Sequence, residues 1–384
     1  MKKILSIISI LALSLILSSC AKNIKLKDKN ISHETKFGGV YIEITIDDFN
    51  NKGFSYGDSL TVSFTNGYKL DDLPYYNGYY TNTGEALLVG YPGYPFIKVC
   101  INNGGDLWTI ASLKETDKAT IELKEKGKYL AMQEAMDIHY TDIQGDMSDE
   151  KFGNFRVVNV GNLKENILYR SASPADNQHN RASVVDRLIT NKVNTIINLS
   201  DTDSELLAHT TKEDFNSPYF KTLYDRGDVI ALAMNMNFTV GEAIDRTPTF
   251  YMEYLNESFQ EKLIRGLRFM LTHEGPYLVH CVEGKDRTGF VCMVIEALCG
   301  VSYNEIIADY MITYDNYYDI NLQSDSTKYN IIKTKNIDEM CKTIINDQKV
   351  DITTADYSYY IEEYLVSKGM ERSEVIALKA LLNK

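Results

Sequence analysis

The segment from Tyr277 to Leu298 limits the fold more than any other part of the chain. A short apolar run, Tyr277-Leu278-Val279-His280, leads into Cys281-Val282-Glu283-Gly284-Lys285-Asp286-Arg287, and Thr288 to Leu298 is then almost wholly apolar. The first run reads as a buried strand and the last as a buried helix. Such a unit calls for an α/β architecture, a central sheet flanked by helices. Its loop wraps just before a helix N-terminus, so backbone N–H groups point inward and the helix adds about half a positive charge. The concavity suits a phosphate dianion, with Cys281 at its base.

Each residue of this loop has a chemical reading. The field of the nest favours thiolate over thiol and turns a cysteine into a nucleophile. Arg287, separated from Cys281 by five residues, offers a planar guanidinium that holds two phosphoryl oxygens at once. Thr288 is placed to hydrogen-bond the sulfur as it leaves, and Lys285 adds a second positive charge or pairs with Glu283. Departure of an ester oxygen needs a carboxylic acid. Asp286 in the loop is the first candidate. Asp201 and Asp203, beside Glu205 after the strand expected at Val193 to Leu199, are alternatives, with Asp228 behind them. His280 reads as a support for Cys281 rather than a base, and Arg170 or Arg181 as either substrate contacts or structural residues.

Together, His280, Cys281, Arg287, Thr288 and Gly289 resemble the signature of the protein tyrosine phosphatase superfamily. The stretch Gly284-Lys285-Asp286-Arg287 is similar to the loop of its bacterial and fungal tyrosine phosphatase-like, dual-specificity subgroup. A looser similarity runs from Asn154-Phe155-Arg156 and Leu168-Tyr169-Arg170-Ser171 to Asp309-Tyr310-Met311, covering roughly residues 150 to 380. The resemblance implies a phosphomonoester hydrolase with a phosphocysteine intermediate. Its substrates would be phosphotyrosine proteins, phosphoinositides or inositol phosphates, with no metal or cofactor. Some relatives with an aspartate at the place of Asp286 are thought to use it as the acid. The competing readings are a pseudophosphatase that only binds phosphate ligands, a surface-binding lipoprotein, and a rhodanese-like sulfurtransferase.

At the N-terminus, Lys2 and Lys3 precede an apolar stretch, Ile4 to Leu17, and then Ser18-Ser19-Cys20. That stretch is shorter than the ~20 residues of a membrane-spanning helix. Small residues before a cysteine fit a bacterial lipoprotein signal, with an uncleaved anchor as the alternative. Residues 1–20 are therefore expected to be a signal peptide with lipidated Cys20, residues 21–37 a tether, and the protein an extracytoplasmic, membrane-anchored lipoprotein. Residues 38–135 alternate and turn like a β-rich module, barrel- or sandwich-like, with strands expected at Tyr41 to Ile46, Leu60 to Phe64, Phe96 to Val99 and Thr120 to Leu123. Its many tyrosines suit strand packing better than a ligand platform. Residues 150–384 form the expected catalytic domain. The net charge of -13 argues against nucleic acid as a partner and requires a local positive pocket for any phosphorylated substrate. Five cysteines remain after Cys20, an odd number without disulfide or metal spacing.

Overall fold

A computed structural model describes residues 24–234 and 257–384; the expected signal peptide and Cys20 lie outside them. The chain divides into two compact units that meet in sequence between Asp137 and Ile138.

The first unit is a closed barrel with strand order β1-β2-β6-β5-β4-β3-β7. The strands are β1 (Lys25–His33), β2 (Val40–Ile42), β3 (Ser59–Phe64), β4 (Lys69–Tyr76), β5 (Ala86–Val89), β6 (Ile97–Ile101) and β7 (Lys118–Glu125). Two expectations are corrected. The run read as a tether contains β1, which pairs antiparallel with both β2 and β7 and so closes the barrel. Its lysines hide this, because a closing strand needs its backbone pairing more than an apolar face, and Ile31 alone of its residues is fully buried. The expected strand from Tyr41 to Ile46 stops at Ile42, because Thr45 accepts from the Asp48 amide and caps helix α1 (Ile46–Asn51). Tyr75 and Tyr76 are buried in or beside the core, whereas Tyr79 and Tyr91 are exposed. Lys98, 1 % exposed, is held at 3.2 Å by Glu34 under the rings of Tyr79 and Tyr94.

The second unit carries a five-stranded sheet in the order β11-β10-β12-β9-β8. These strands are β8 (Arg156–Val157), β9 (Leu168–Ser171), β10 (Thr195–Asn198), β11 (Val229–Ala231) and β12 (Tyr277–His280). The four from β11 to β9 are parallel neighbours, and β8 is antiparallel at the edge. The short connecting helices α2 (Leu107–Ile110) and α3 (Leu130–Met136) belong to the barrel unit, while α4 (Asp149–Phe152), α5 (Ala182–Ile189), α6 (Asp203–Thr210), α7 (Pro218–Arg226), α8 (Glu257–Thr272), α9 (Asp286–Leu298) and α10 (Tyr303–Tyr318) surround the sheet. Four further helices, α11 (Ser326–Lys335), α12 (Ile337–Ile345), α13 (Tyr357–Ser367) and α14 (Arg372–Leu382), complete the chain.

The strand β12 sits centrally because its residues are buried on both faces, and α9 is buried from Thr288 to Leu298. A helix apolar all round belongs inside a layer. The helix begins two residues before the expected Thr288, which places Asp286 and Arg287 in its first turn. Strand β11 is short, Val229–Ala231, and β10 occupies only Thr195–Asn198 of the run expected from Val193 to Leu199. Among the described residues no helix is long and apolar enough to cross a membrane.

Replacing Glu34 with Ala strands the Lys98 ammonium in the barrel wall. Breaking a buried pair from one side costs about 3–5 kcal/mol, so urea denaturation should show the barrel unit weakened by an amount of that order, and an unchanged midpoint would contradict the burial of the pair.

Candidate active site

Residues 281–285 form the turn between β12 and α9. Its carbonyls are tied outward one after another. The His280 oxygen accepts from the Leu199 amide at 2.9 Å, that of Cys281 from His280 Nδ1 at 3.2 Å, and that of Val282 from the Ser173 amide at 3.0 Å. The Glu283 oxygen accepts from the Tyr317 hydroxyl at 2.6 Å, that of Gly284 from Arg170 Nη2 at 3.1 Å, and that of Lys285 from the Gly289 amide at 2.8 Å. The side-chain amide of Asn154 adds bonds of 3.2 Å to both Glu283 and Gly284. In a trans peptide the N–H points opposite to the C=O. Carbonyls turned out to the protein leave the amide hydrogens directed into the loop.

Glycine is required at 284. Its φ is +68°, and a Cβ there would stand 2.1 Å from the Ser171 oxygen. Gly289 is tight as well, since a Cβ would meet the Tyr310 ring at 2.5 Å.

Cys281 is 3 % exposed. His280 is fully buried with its Nε2 unpartnered, and burial pushes its pKa down to about 4. It is therefore a neutral imidazole with its proton on Nδ1, which suits support of the Cys281 peptide and not proton exchange. The Thr288 hydroxyl is buried without a hydrogen-bond partner. Arg287 is half-buried, and its Nη1 donates to the Met234 carbonyl at 3.3 Å. Lys285 Nζ lies 3.0 Å from Glu283 and 3.7 Å from Asp286. Burial opposes its charge, but the carboxylates of Asp286 and Glu283 outweigh burial and hold its pKa up.

The candidate acids separate clearly. Asp286 opens α9, keeps a partly exposed carboxylate, and accepts from the Tyr310 hydroxyl at 3.4 Å. Asp201 is buried. It accepts from the Asn198 amide at 2.7 Å and lies 3.8 Å from His209, and burial raises its pKa. Asp203 is an exposed first-turn residue of α6, and Asp228 is paired with Arg226. Arg181 is engaged with the carbonyls of Phe152, Thr141 and His179 and with Asp142, and Arg170 is 1 % exposed. Neither arginine is available as a surface contact for substrate.

Sequence reasoning passed over the wall behind the loop. On α10, Tyr310, Tyr314, Tyr317 and Tyr318 recur at helical spacing, and that period was available as a signal. Tyr317 bonds the loop, Tyr318 reaches Lys285 at 3.4 Å, and Tyr140 stacks on Tyr317 at 4.9 Å. Asp309 on the same helix binds Arg156 at 2.8 Å and Arg170.

The fold and loop define an α/β domain whose central strand ends in a buried cysteine at a tightly held turn. Residues 151–384 match the tyrosine phosphatase family, and the chain belongs to that family. Among solved structures, an uncharacterized conserved protein from Thermotoga maritima is 23 % identical, over 26 % of this chain and 35 % of its own, at a TM-score of 0.22. The core catalytic domain of the PP-IP phosphatase SIW14 from S. cerevisiae, in complex with citrate, is 21 % identical over 50 % of this chain and 90 % of its own, at a TM-score of 0.25. No curated protein matches the chain.

One buried group behind the site gives a pH prediction. Glu296 on α9 is 1 % exposed, and burial, with the nearby Asp309 carboxylate, raises its pKa well above the ordinary 4.5. The folded state thus keeps a proton that the unfolded chain releases above pH 4.5, so stability falls with each pH unit above that value, by up to about 1.4 kcal/mol. Glu296→Gln should be more stable than the parent at pH 7 and converge with it below pH 4.5. Thermal melts across this range test the sign, and a parent as stable as the variant at pH 7 would refute it.

Proposed function

We propose that the chain hydrolyses phosphomonoesters through a phosphocysteine intermediate, with the loop 281–287 as its phosphate site. The observation that carries this reading is the outward tethering of consecutive carbonyls from His280 to Lys285 around a buried cysteine. Inward amides and the α9 N-terminus stabilise a dianion that an acidic chain would otherwise repel.

In the first half of the reaction, the Cys281 sulfur attacks phosphorus. The S–P bond forms as the P–O bond to the leaving group breaks, and an acid gives that oxygen a proton. Arg287 and the loop amides hold the three peripheral oxygens throughout. Water then attacks the phosphocysteine, yields its proton to the same carboxylate, and the S–P bond breaks to regenerate the thiolate with release of inorganic phosphate. The Thr288 hydroxyl, buried and unpartnered, is suited to stabilise that departing sulfur. Asp286 is the proposed acid because it is in the loop and its carboxylate is partly exposed; Asp201 is committed to holding the turn after β10.

The substrate classes proposed are phosphotyrosine proteins, phosphoinositides and inositol phosphates. Lys285 is paired with Glu283 and Asp286 rather than standing as an open second cation. Cys20 is proposed as a lipid anchor that places the enzyme outside the cytoplasm, where the thiol of Cys281 needs a reductant to stay active.

Cys281→Ser should lower turnover by at least about 10³-fold while tungstate still binds, when the mature protein is assayed on phosphotyrosine peptides, phosphoinositides and inositol polyphosphates. Near-parental rates in that variant would rule out the mechanism. Asp286→Asn should depress kcat most for poor leaving groups, and an equal loss from Asp201→Asn would reassign the acid.

A further inference from the structure

Arg170 is the largest fully buried side chain of the described residues. It stands on β9 in register with Val279 of β12 and turns toward the loop, where its Nη2 donates to the Gly284 carbonyl at 3.1 Å. Its Nη1 is clamped by the Asp309 carboxylate, whose other oxygen takes Arg156 Nε at 2.8 Å. The point of contact is the flexible one. Gly284 has no Cβ, sits at φ +68°, and sets the peptide that presents the Lys285 amide to the nest. Whatever holds the Gly284 oxygen therefore decides where that amide points.

We propose that Arg170, clamped by Asp309, is a positioning residue that fixes the shape of the oxyanion-binding loop. The inference rests on the proposed reading of the loop as a phosphate site. It predicts a change in oxyanion affinity, separate from turnover.

The experiment is calorimetric titration of the full chain with tungstate, alongside thermal melts and turnover. Arg170→Lys keeps the charge but cannot span Gly284 and Asp309 with a planar fork, and it should weaken tungstate at least about tenfold, the size of one lost charge-assisted hydrogen bond, with a melting shift of only a few degrees. Asp309→Asn removes the clamp's charge and leaves Arg170 in place; it should also weaken tungstate and serves where it folds and the lysine variant does not. Arg156→Lys is the comparison, since Arg156 shares Asp309 but reaches the loop carbonyls only through Asn154, and it should weaken tungstate less than Arg170→Lys does. The proposal falls if folded Arg170→Lys or Asp309→Asn binds tungstate within about twofold of the parent, or if Arg156→Lys loses as much affinity as Arg170→Lys. A parent that binds tungstate but turns over no substrate would refute the hydrolase reading and leave this one standing; a parent that binds no tungstate would refute both.

Discussion

A peptide group cannot turn its oxygen and its hydrogen the same way, and the second unit is organised around that restriction. To present amides inward between Cys281 and Arg287, the chain must give the carbonyls of 280–285 partners elsewhere. Those partners come from the turn after β10, the turn after β9, the start of the domain at Asn154, the strand β9 itself and the helix α10. Parallel pairing of β12 with β9 and β10 brings the first two together at the carboxyl ends of the strands, and antiparallel β8 brings Asn154 to the same end. This is where open parallel sheets commonly place their sites. Sheet order, the buried arginine and the tyrosine-bearing helix are thus answers to one geometric demand.

Much of this was legible in the residues. The strand ending at His280 falls where its apolar run predicts, and the short turn 281–285 sets Cys281 against the start of the helix that carries Arg287 and Thr288. The scaffold behind the loop was not legible. Arg170 and Arg156 look like ordinary charged positions, and only the three-dimensional crossing of β8 and β9 with α10 converts them into buried partners of Asp309. Arg181 was ambiguous for a similar reason, since its burial depends on carbonyls supplied by residues 141 and 152.

In the barrel unit the errors have local causes. Lys25 to His33 carries too many charged residues for a periodic reading, yet closure of a sheet selects a strand by its free backbone groups. Past Ile42, the Thr45 cap redirects the chain into a helix although the residue types remain favourable to a strand. A cap is a single side-chain bond and outweighs propensity over a few residues. The two units also differ in how they use tyrosine: β4 buries Tyr75 for packing, while α10 turns Tyr317 toward a backbone oxygen.

All five described cysteines are free thiols. In four of them, Cys100, Cys292, Cys299 and Cys341, burial pushes the pKa up to about 12. A thiol that stays protonated at neutral pH is a poor nucleophile toward alkylating reagents. For the described part of the molecule, the chemistry of sulfur is therefore concentrated at residue 281, and covalent labelling becomes a count of occupied sites rather than an average over many. A bound oxyanion would register as protection of one cysteine, giving the molecule a built-in reporter that needs no chromogenic substrate.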